Sequence, residues 1–316
     1  MRTLVTGGAG FIGSTLVDRL LAEGHEVDVI DDLSSGSLTN LAEARAAADH
    51  RLTIHRLDIR LPETVELIER RAPQVVFHLA AQADVRVSVA RPVFDAEVNV
   101  LGSINVLEGA RRARAERLVF AASGGTLYGE PAAEDLPVRE AHPARPLSPY
   151  GVSKKAVLDY LVAYRELHAL EFCALALANV YGPRQDPHGE AGVVAIFADR
   201  LAAGEPVTVF GDGEQTRDFV YVDDVVDAFV RGATRGGGLV VNVGTGQETS
   251  VNQLYSAMAA QAGTDRPAVH APERPGELRR NALDIERAAM QLGWRPWTGL
   301  PEGTRAVLDF VRARTG

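Results

Sequence analysis

Apolar residues follow two rhythms along this chain. Short, nearly unbroken apolar runs at residues 4–6, 26–30, 53–57, 75–78, 118–121 and 172–177 predict strands buried on both faces. Between them, apolar positions recur every three or four residues over 11–23, 62–71, 94–113 and 150–167, the pattern of amphipathic helices. Alternation of strand and helix implies a parallel sheet with right-handed crossovers, because parallel neighbours need a connection long enough to return across the sheet. After Asn179 the rhythm loosens into longer loops rich in Gly and Pro. Helices are expected there at 193–203, 222–234, 251–262 and 301–314, with small strands at 207–210 and 240–243. This predicts two units, residues 1–178 and a smaller lobe of residues 179–316, with interleaved segments. No internal repeat is visible. An Ala-rich patch at 45–48 is expected as exposed helix and Gly236-Gly-Gly as a loop.

Composition narrows the functional classes. With 316 residues the chain is long enough for a large core. Its 46% hydrophobic and 24% charged residues are ordinary for a globular protein. The net charge of −9 argues against nucleic acid as a partner. Cys173 is the sole cysteine, which excludes an intrachain disulfide and a Cys-based zinc site, and its apolar run predicts a buried, inert thiol. The histidines lack metal-ligand spacing, so no metal is expected. The first residues run straight into a strand pattern without the features of a signal peptide, and no segment approaches the roughly 18 apolar residues of a membrane span. The expected setting is therefore cytoplasmic, without a membrane partner.

The first candidate site follows the first strand. Thr6-Gly-Gly-Ala-Gly-Phe-Ile-Gly places Gly7, Gly10 and Gly13 between a strand and a helix. Glycine there permits a tight turn, close approach to a pyrophosphate and close packing of helix on strand. The free N–H groups of the helix start favour phosphate. Asp31 ends the second strand, eighteen residues past Gly13, where a carboxylate would bond an adenosine ribose and repel a 2′-phosphate. NAD is therefore expected rather than NADP, bound to a Rossmann-type, doubly wound α/β fold. Asp58, after the third strand, is placed to meet the adenine amino group or to cap a turn.

Tyr150 and Lys154 supply the chemistry. Taken alone, a Tyr and a Lys four apart on a helix are most often surface residues; downstream of a nucleotide loop they become a candidate base and its activator. They stand on one face, one turn apart. A phenol ionises near about 10, and a neighbouring ammonium favours the phenolate.

These features occur in order with His78-Leu-Ala-Ala-Gln82, Asn99-Val-Leu-Gly102, Ser123-Gly-Gly-Thr-Leu-Tyr-Gly129 and Asn179-Val-Tyr-Gly-Pro183. Together they resemble the extended short-chain dehydrogenase/reductase family, and within it the pattern is most similar to bacterial UDP-glucose 4-epimerases. The resemblance spans about residues 2–310. It implies an N-terminal lobe that holds NAD, a C-terminal lobe that binds a UDP-sugar substrate, and a homodimer through the helices at 94–113 and 150–167. It implies cofactor contacts from Gly7, Gly10, Phe11, Ile12, Gly13, Asp31, Asp58, Ile59, Leu79, Ala80, Ala81 and Asn99, together with Tyr150 and Lys154. Substrate contacts are implied for Arg86, Asn179, Val193, Phe210, Arg217, Arg274, Glu277 and Asn281. Among these, Phe210 corresponds to a platform beside uracil, Arg217 and Arg274 to clamps on the diphosphate, and Glu277 to a ribose acceptor. Asn281 corresponds to a gate at the sugar 2-substituent, where a small residue leaves space for an N-acetyl group.

Two departures from the family pattern stand out. Counting back from Tyr128, Gly124 occupies the usual place of the catalytic hydroxyl, so the role falls to Ser123 with Thr126 in reserve. Ala176-Leu177 replaces the usual Arg-Tyr. The implied reaction is 4-epimerisation through a 4-keto sugar. Its rivals are a 4,6-dehydratase, disfavoured by Gly125-Thr126 where that relative has Asp-Glu, and a UDP-glucuronate epimerase, for which Arg86 or Arg184 would receive the carboxylate. A non-catalytic NAD-sensing module is the remaining reading, opposed by the intact Tyr and Lys pair.

Overall fold

The computed structural model describes residues 1–187, 192–273 and 278–315. Six of its strands are β1 (Arg2–Thr6), β2 (Glu26–Asp31), β3 (Leu52–Arg56), β4 (Val75–His78), β5 (Arg117–Ser123) and β6 (Glu171–Leu177). With Leu239–Val243 they form a seven-stranded sheet in the order Leu239–Val243, β6, β5, β4, β1, β2, β3. Every pairing in it is parallel. The chain builds outward from β1 through β2 to β3, then returns to the other side of β1 with β4. That reversal opens a crevice beyond the carboxyl ends of β1 and β4.

Alternate strand residues face two helical layers. Val5, Val29, Phe77, Val119 and Leu175 pack toward α1 (Phe11–Ala22) and the helix Val222–Gly232. Leu4, Ile30, Val76, Phe120 and Ala174 pack toward Glu63–Arg71, Gly102–Arg112 and Pro149–His168. Both faces of the inner strands are thereby buried. β3 departs from the expectation of burial on both faces: it is an edge strand whose residues stay half-exposed.

The helix expected over 94–113 is interrupted. It runs as Pro92–Ala96, a π turn at Glu97–Leu101, and Gly102–Arg112. Such turns concentrate at functional sites. The strand expected at 240–243, in the part of the chain whose segments interleave with the first unit, runs as Leu239–Val243. It pairs with β6 from Leu239↔Cys173 to Val243↔Leu177 and so completes the large sheet. Much of the rest of the C-terminal half forms a third core, in which Val194, Phe197, Leu254, Met258, Val307 and Leu308 pack together, while Leu283, Ala288, Leu292 and Trp294 join the sheet core beside Val222–Gly232. Three short strand pairs fasten that lobe: Asn179–Tyr181 with Phe219–Tyr221, Thr216–Arg217 with Thr249–Ser250, and Thr208–Phe210 with Val269–Ala271.

Candidate active site

The loop after β1 is built on glycine for geometric reasons. Gly7 has φ +71°, and a Cβ there would lie 2.7 Å from the backbone nitrogen of Ala80. A Cβ on Gly13 would lie 2.1 Å from the carbonyl oxygen of Gly7, so α1 could not sit this close to β1. Gly10 precedes α1 without a side-chain cap, which leaves the helix start open to a ligand.

A cavity of about 320 Å3 lies at the switch point of the sheet. Its wall includes Gly7, Gly10, Phe11, Ile12 and Gly13 from the loop and α1, Asp31 from the end of β2, and Asp58 and Ile59 after β3. Leu79, Ala80 and Ala81 follow β4 into it, Ser123 ends β5 there, and Tyr150 and Lys154 come from Pro149–His168. Residues 30, 32, 34–36, 57, 83, 98, 121–122, 177–178 and 180 complete it and were missed from sequence. Residues 30, 32, 57, 121–122 and 177–178 sit at or just past the carboxyl end of a strand, a signal that the switch-point rule could have supplied.

Asp31 accepts from the amides of Ala9 and Leu33, each at 2.9 Å, which fixes its carboxylate beside the glycine loop. Burial raises this carboxyl above its ordinary range against the pull of those two donors. Asp58 is held differently. Its oxygens accept from the Arg60 guanidinium at 2.5 to 3.1 Å, and that bonding lowers its pKa.

Tyr150 and Lys154 are both buried against the cavity, at 9% and 3% exposure. Ser148 caps their helix by accepting from the amide of Gly151, and Pro149 opens it. Lys154 donates to the carbonyl of Ala121 at 2.9 Å, and its Nζ lies 5.8 Å from the Tyr150 ring centroid. Ser123 lines the same cavity at the end of β5 and makes no capping bond to the short helix Gly124–Leu127. Thr126 lies outside the cavity wall; its Oγ1 is buried without a hydrogen-bond partner.

Behind the cavity runs a buried polar chain. The single hydroxyl proton of Ser103 goes to the carbonyl of Asn99 at 2.5 Å, so Nε2 of His78 donates to Ser103 at 2.8 Å. Nδ1 then accepts from the Thr6 hydroxyl at 2.7 Å, and both partners are satisfied by a neutral imidazole. Desolvation first, and the nearby Lys154 charge second, pull the His78 pKa down to about 3. Asn99 was expected at the cofactor, but the structure places it one layer back. Its amide spends both donors on Gln82 O and Asp95 Oδ1 and accepts from Gln82 N, while its neighbour Val98 reaches the cavity.

The expected substrate residues are spread over the smaller lobe and its margins. Asn179 and Arg217 sit on adjoining short strand pairs, Phe210 ends the strand Thr208–Phe210, and Val193 opens the helix Val193–Ala202. None of them lines the 320 Å3 cavity. Asn281 is 1% exposed, and neither polar atom of its amide has a partner. Arg86 is exposed and engaged with Asp84 at 2.7 Å. Arg184 turns to Asp18 on α1 at 2.6 Å. Arg274 and Glu277 lie outside the described residues. Among the described residues no three His, Cys, Asp or Glu side chains cluster to hold a metal, and no helix is long and apolar enough to cross a membrane.

Residues 3–244 match the model of the NAD dependent epimerase/dehydratase family. Over its full length the chain is 51% identical to a UDP-glucose 4-epimerase of Mycolicibacterium smegmatis, with each protein covered completely. A crystal structure of a UDP-glucose 4-epimerase from Thermotoga maritima with UDP-glucose superposes with a TM-score of 0.96 at 42% identity, covering 100% of both chains. A Thermus thermophilus UDP-glucose 4-epimerase in complex with NAD gives 0.91 at 44% identity, covering 99% of each.

Proposed function

The chain belongs to the NAD dependent epimerase/dehydratase family, and we propose that it inverts C4 of a UDP-hexose, interconverting UDP-glucose and UDP-galactose. The observation that carries this reading is the convergence of Tyr150, Lys154 and Ser123 on a cavity floored by the glycine loop. The cavity fits NAD: a side chain at Gly7 or Gly13 would collide with neighbouring backbone, and Asp31, held beside the glycine loop, would accept from a ribose hydroxyl. NAD supplies hydride acceptance and return when bound.

The protein's own groups handle the proton and the orientation. Lys154, buried beside the Tyr150 ring, favours the phenolate form of Tyr150. That phenolate removes the proton of the sugar 4-hydroxyl, and Ser123 donates a hydrogen bond to the same oxygen as it becomes a carbonyl. The 4-keto sugar turns over while its diphosphate stays clamped by Arg217 and Arg274, with Asn179 beside it and Phe210 under the base. Tyr150 then returns the proton, with no net redox change. Two arginines bidentate to phosphate oxygens suit that clamp. Val193 and Glu277 complete the nucleotide contacts. The small Asn281 leaves space for an N-acetyl group, so UDP-N-acetylglucosamine is a second substrate. A glucuronate carboxylate is disfavoured, since Arg86 and Arg184 are already paired with Asp84 and Asp18.

We further propose a cytoplasmic homodimer. Val89, Val93 and Leu101 before Gly102–Arg112, with Val152 and Val162 on Pro149–His168, are exposed apolar side chains of the kind a helix-on-helix interface covers. Light scattering coupled to size exclusion tests this, and a monomer at micromolar concentration would refute it.

The deciding experiment incubates the protein with UDP-glucose, UDP-N-acetylglucosamine, UDP-glucuronate and dTDP-glucose and identifies products by NMR. Tyr150→Phe is expected to lose most turnover while UDP binding persists, because it removes proton transfer and leaves the diphosphate clamp. Wild-type turnover in that variant would overturn the assignment.

A further inference from the structure

Asp95 joins two walls of the cavity without lining it. It is fully buried in Pro92–Ala96, immediately before the π turn. Oδ1 accepts from Gln82 Nε2 at 2.8 Å and from Asn99 Nδ2 at 2.9 Å, while Oδ2 accepts from the Ser153 hydroxyl at 2.6 Å. Each donor belongs to a different piece of the machinery. Gln82 ends the segment after β4 that presents Leu79, Ala80 and Ala81 to the cavity, and Asn99 clasps both backbone groups of Gln82. Ser153 lies three residues after Tyr150 and directly before Lys154.

We infer that Asp95 is a positioning residue, acting through Ser153 to fix the helix of Tyr150 and Lys154 against the loop after β4. This rests on the functional reading above. The physical reason lies in the cost of a loose joint. A buried carboxylate is tolerable only when its oxygens are bonded, so the three donors are held at one spacing. A shift of about 1 Å between reacting groups costs on the order of a hundredfold in rate. Helix and loop line the cavity from separate elements, and neither is joined to the other through a covalent or ladder link. The carboxylate supplies that link, and the π turn brings Asn99 into reach of it.

The test compares Ser153→Ala, Ser153→Thr, Asp95→Asn and the Asp95→Asn/Ser153→Ala double variant in UDP-glucose turnover. Ser153→Ala is expected to lower kcat roughly ten- to a hundredfold with KM little changed, and to lower the melting temperature by leaving Oδ2 of Asp95 unpaired while the protein stays folded at the assay temperature. Ser153→Thr, which keeps the hydroxyl, restores most of the rate. The double variant is expected to be no slower than Asp95→Asn, since both substitutions break one joint. Should Asp95→Asn not fold, Ser153→Ala and its rescue decide alone. A second readout needs no turnover: in Ser153→Ala, amide exchange is expected to quicken at residues 79–84 as well as at 150–154. An unchanged kcat in Ser153→Ala, a rate loss fully accounted for by a lower melting temperature, independent losses that multiply in the double variant, or exchange confined to 150–154 would each overturn the inference. If the wild-type protein turns over no UDP-sugar, the functional reading falls, and the exchange comparison still decides whether the joint exists.

Discussion

Ser123 and Thr126 compete for one role, and their surroundings separate them. Ser123 opens onto the cavity, whereas the Thr126 hydroxyl is buried behind it without a partner. Ser123→Ala is expected to lower kcat on the order of ten- to a thousandfold and Thr126→Val much less; steady-state kinetics decide, and the reverse ranking transfers the role. Asp31 makes a parallel claim about the cofactor: calorimetry on cofactor-free protein is expected to show NAD bound much more tightly than NADP. His78 makes a claim about stability. Its folded pKa of about 3 lies below the unfolded value near 6.5, so the folded state binds fewer protons in that interval. Its contribution is complete above about pH 6.5 and is lost as the pH falls toward 3. Between pH 6.5 and 5 the loss is about 2 kcal/mol. Urea denaturation of wild type and His78→Asn at several pH values measures this: the variant's stability is expected to fall less steeply over that window, and parallel curves would contradict it.

Among the secondary-structure elements, α1 shows how a sequence spacing becomes a distance. Glycine at position 13 lets the helix backbone approach the Gly7 carbonyl more closely than any Cβ allows. Gly13→Ala therefore has to displace backbone, not a flexible side chain, and an overpacked site of this kind costs about 1–3 kcal/mol. The expected result is a lower melting temperature together with loss of NAD retained through purification; normal retention would mean that the loop accommodates the methyl group. The glycine spacing, Asp31 and the Tyr150 and Lys154 pair were legible because they follow from local geometry, strand end to helix start and one turn of helix. The π turn at Glu97–Leu101 was not legible. Its residues keep an apolar periodicity that an uninterrupted helix would also show, and what sets the stretch apart is the bonding of Asn99 to Gln82, Ser103 to His78 and Asp95 to Ser153.

For the molecule as a whole, Asp218 ties three distant segments together. Its carboxylate accepts from Thr245 N at 2.7 Å, Thr245 Oγ1 at 2.6 Å, Gly246 N at 3.1 Å and Leu283 N at 3.1 Å. Its own carbonyl receives the amide of Asn179 at 2.9 Å. Asp218→Asn would turn an NH2 group toward these donors and leave at least one of them buried and unpaired. The expected loss is about 3 kcal/mol, seen as a lower urea midpoint at unchanged slope. A midpoint equal to wild type would show that the segments are held elsewhere.

Sequence alone determined what depends on neighbours in the chain: the alternation of strand and helix, the nucleotide loop, the acidic end of β2 and the paired Tyr and Lys. Those features are set by backbone geometry over a few residues, so residue type and spacing suffice to recognise them. Tertiary structure alone decided which layer a polar residue occupies and which sheet a strand joins. Asn99 carries an amide suited to a ligand, yet Gln82 and Asp95 claim it first. Leu239–Val243 has the pattern of a buried strand, and nothing in that pattern selects β6 as its neighbour. Arg184 is as able as any arginine to meet an anion, and the position of α1 turned it to Asp18. In each case the partner lies far away in the chain, and the choice among partners is made by packing, which no local pattern encodes.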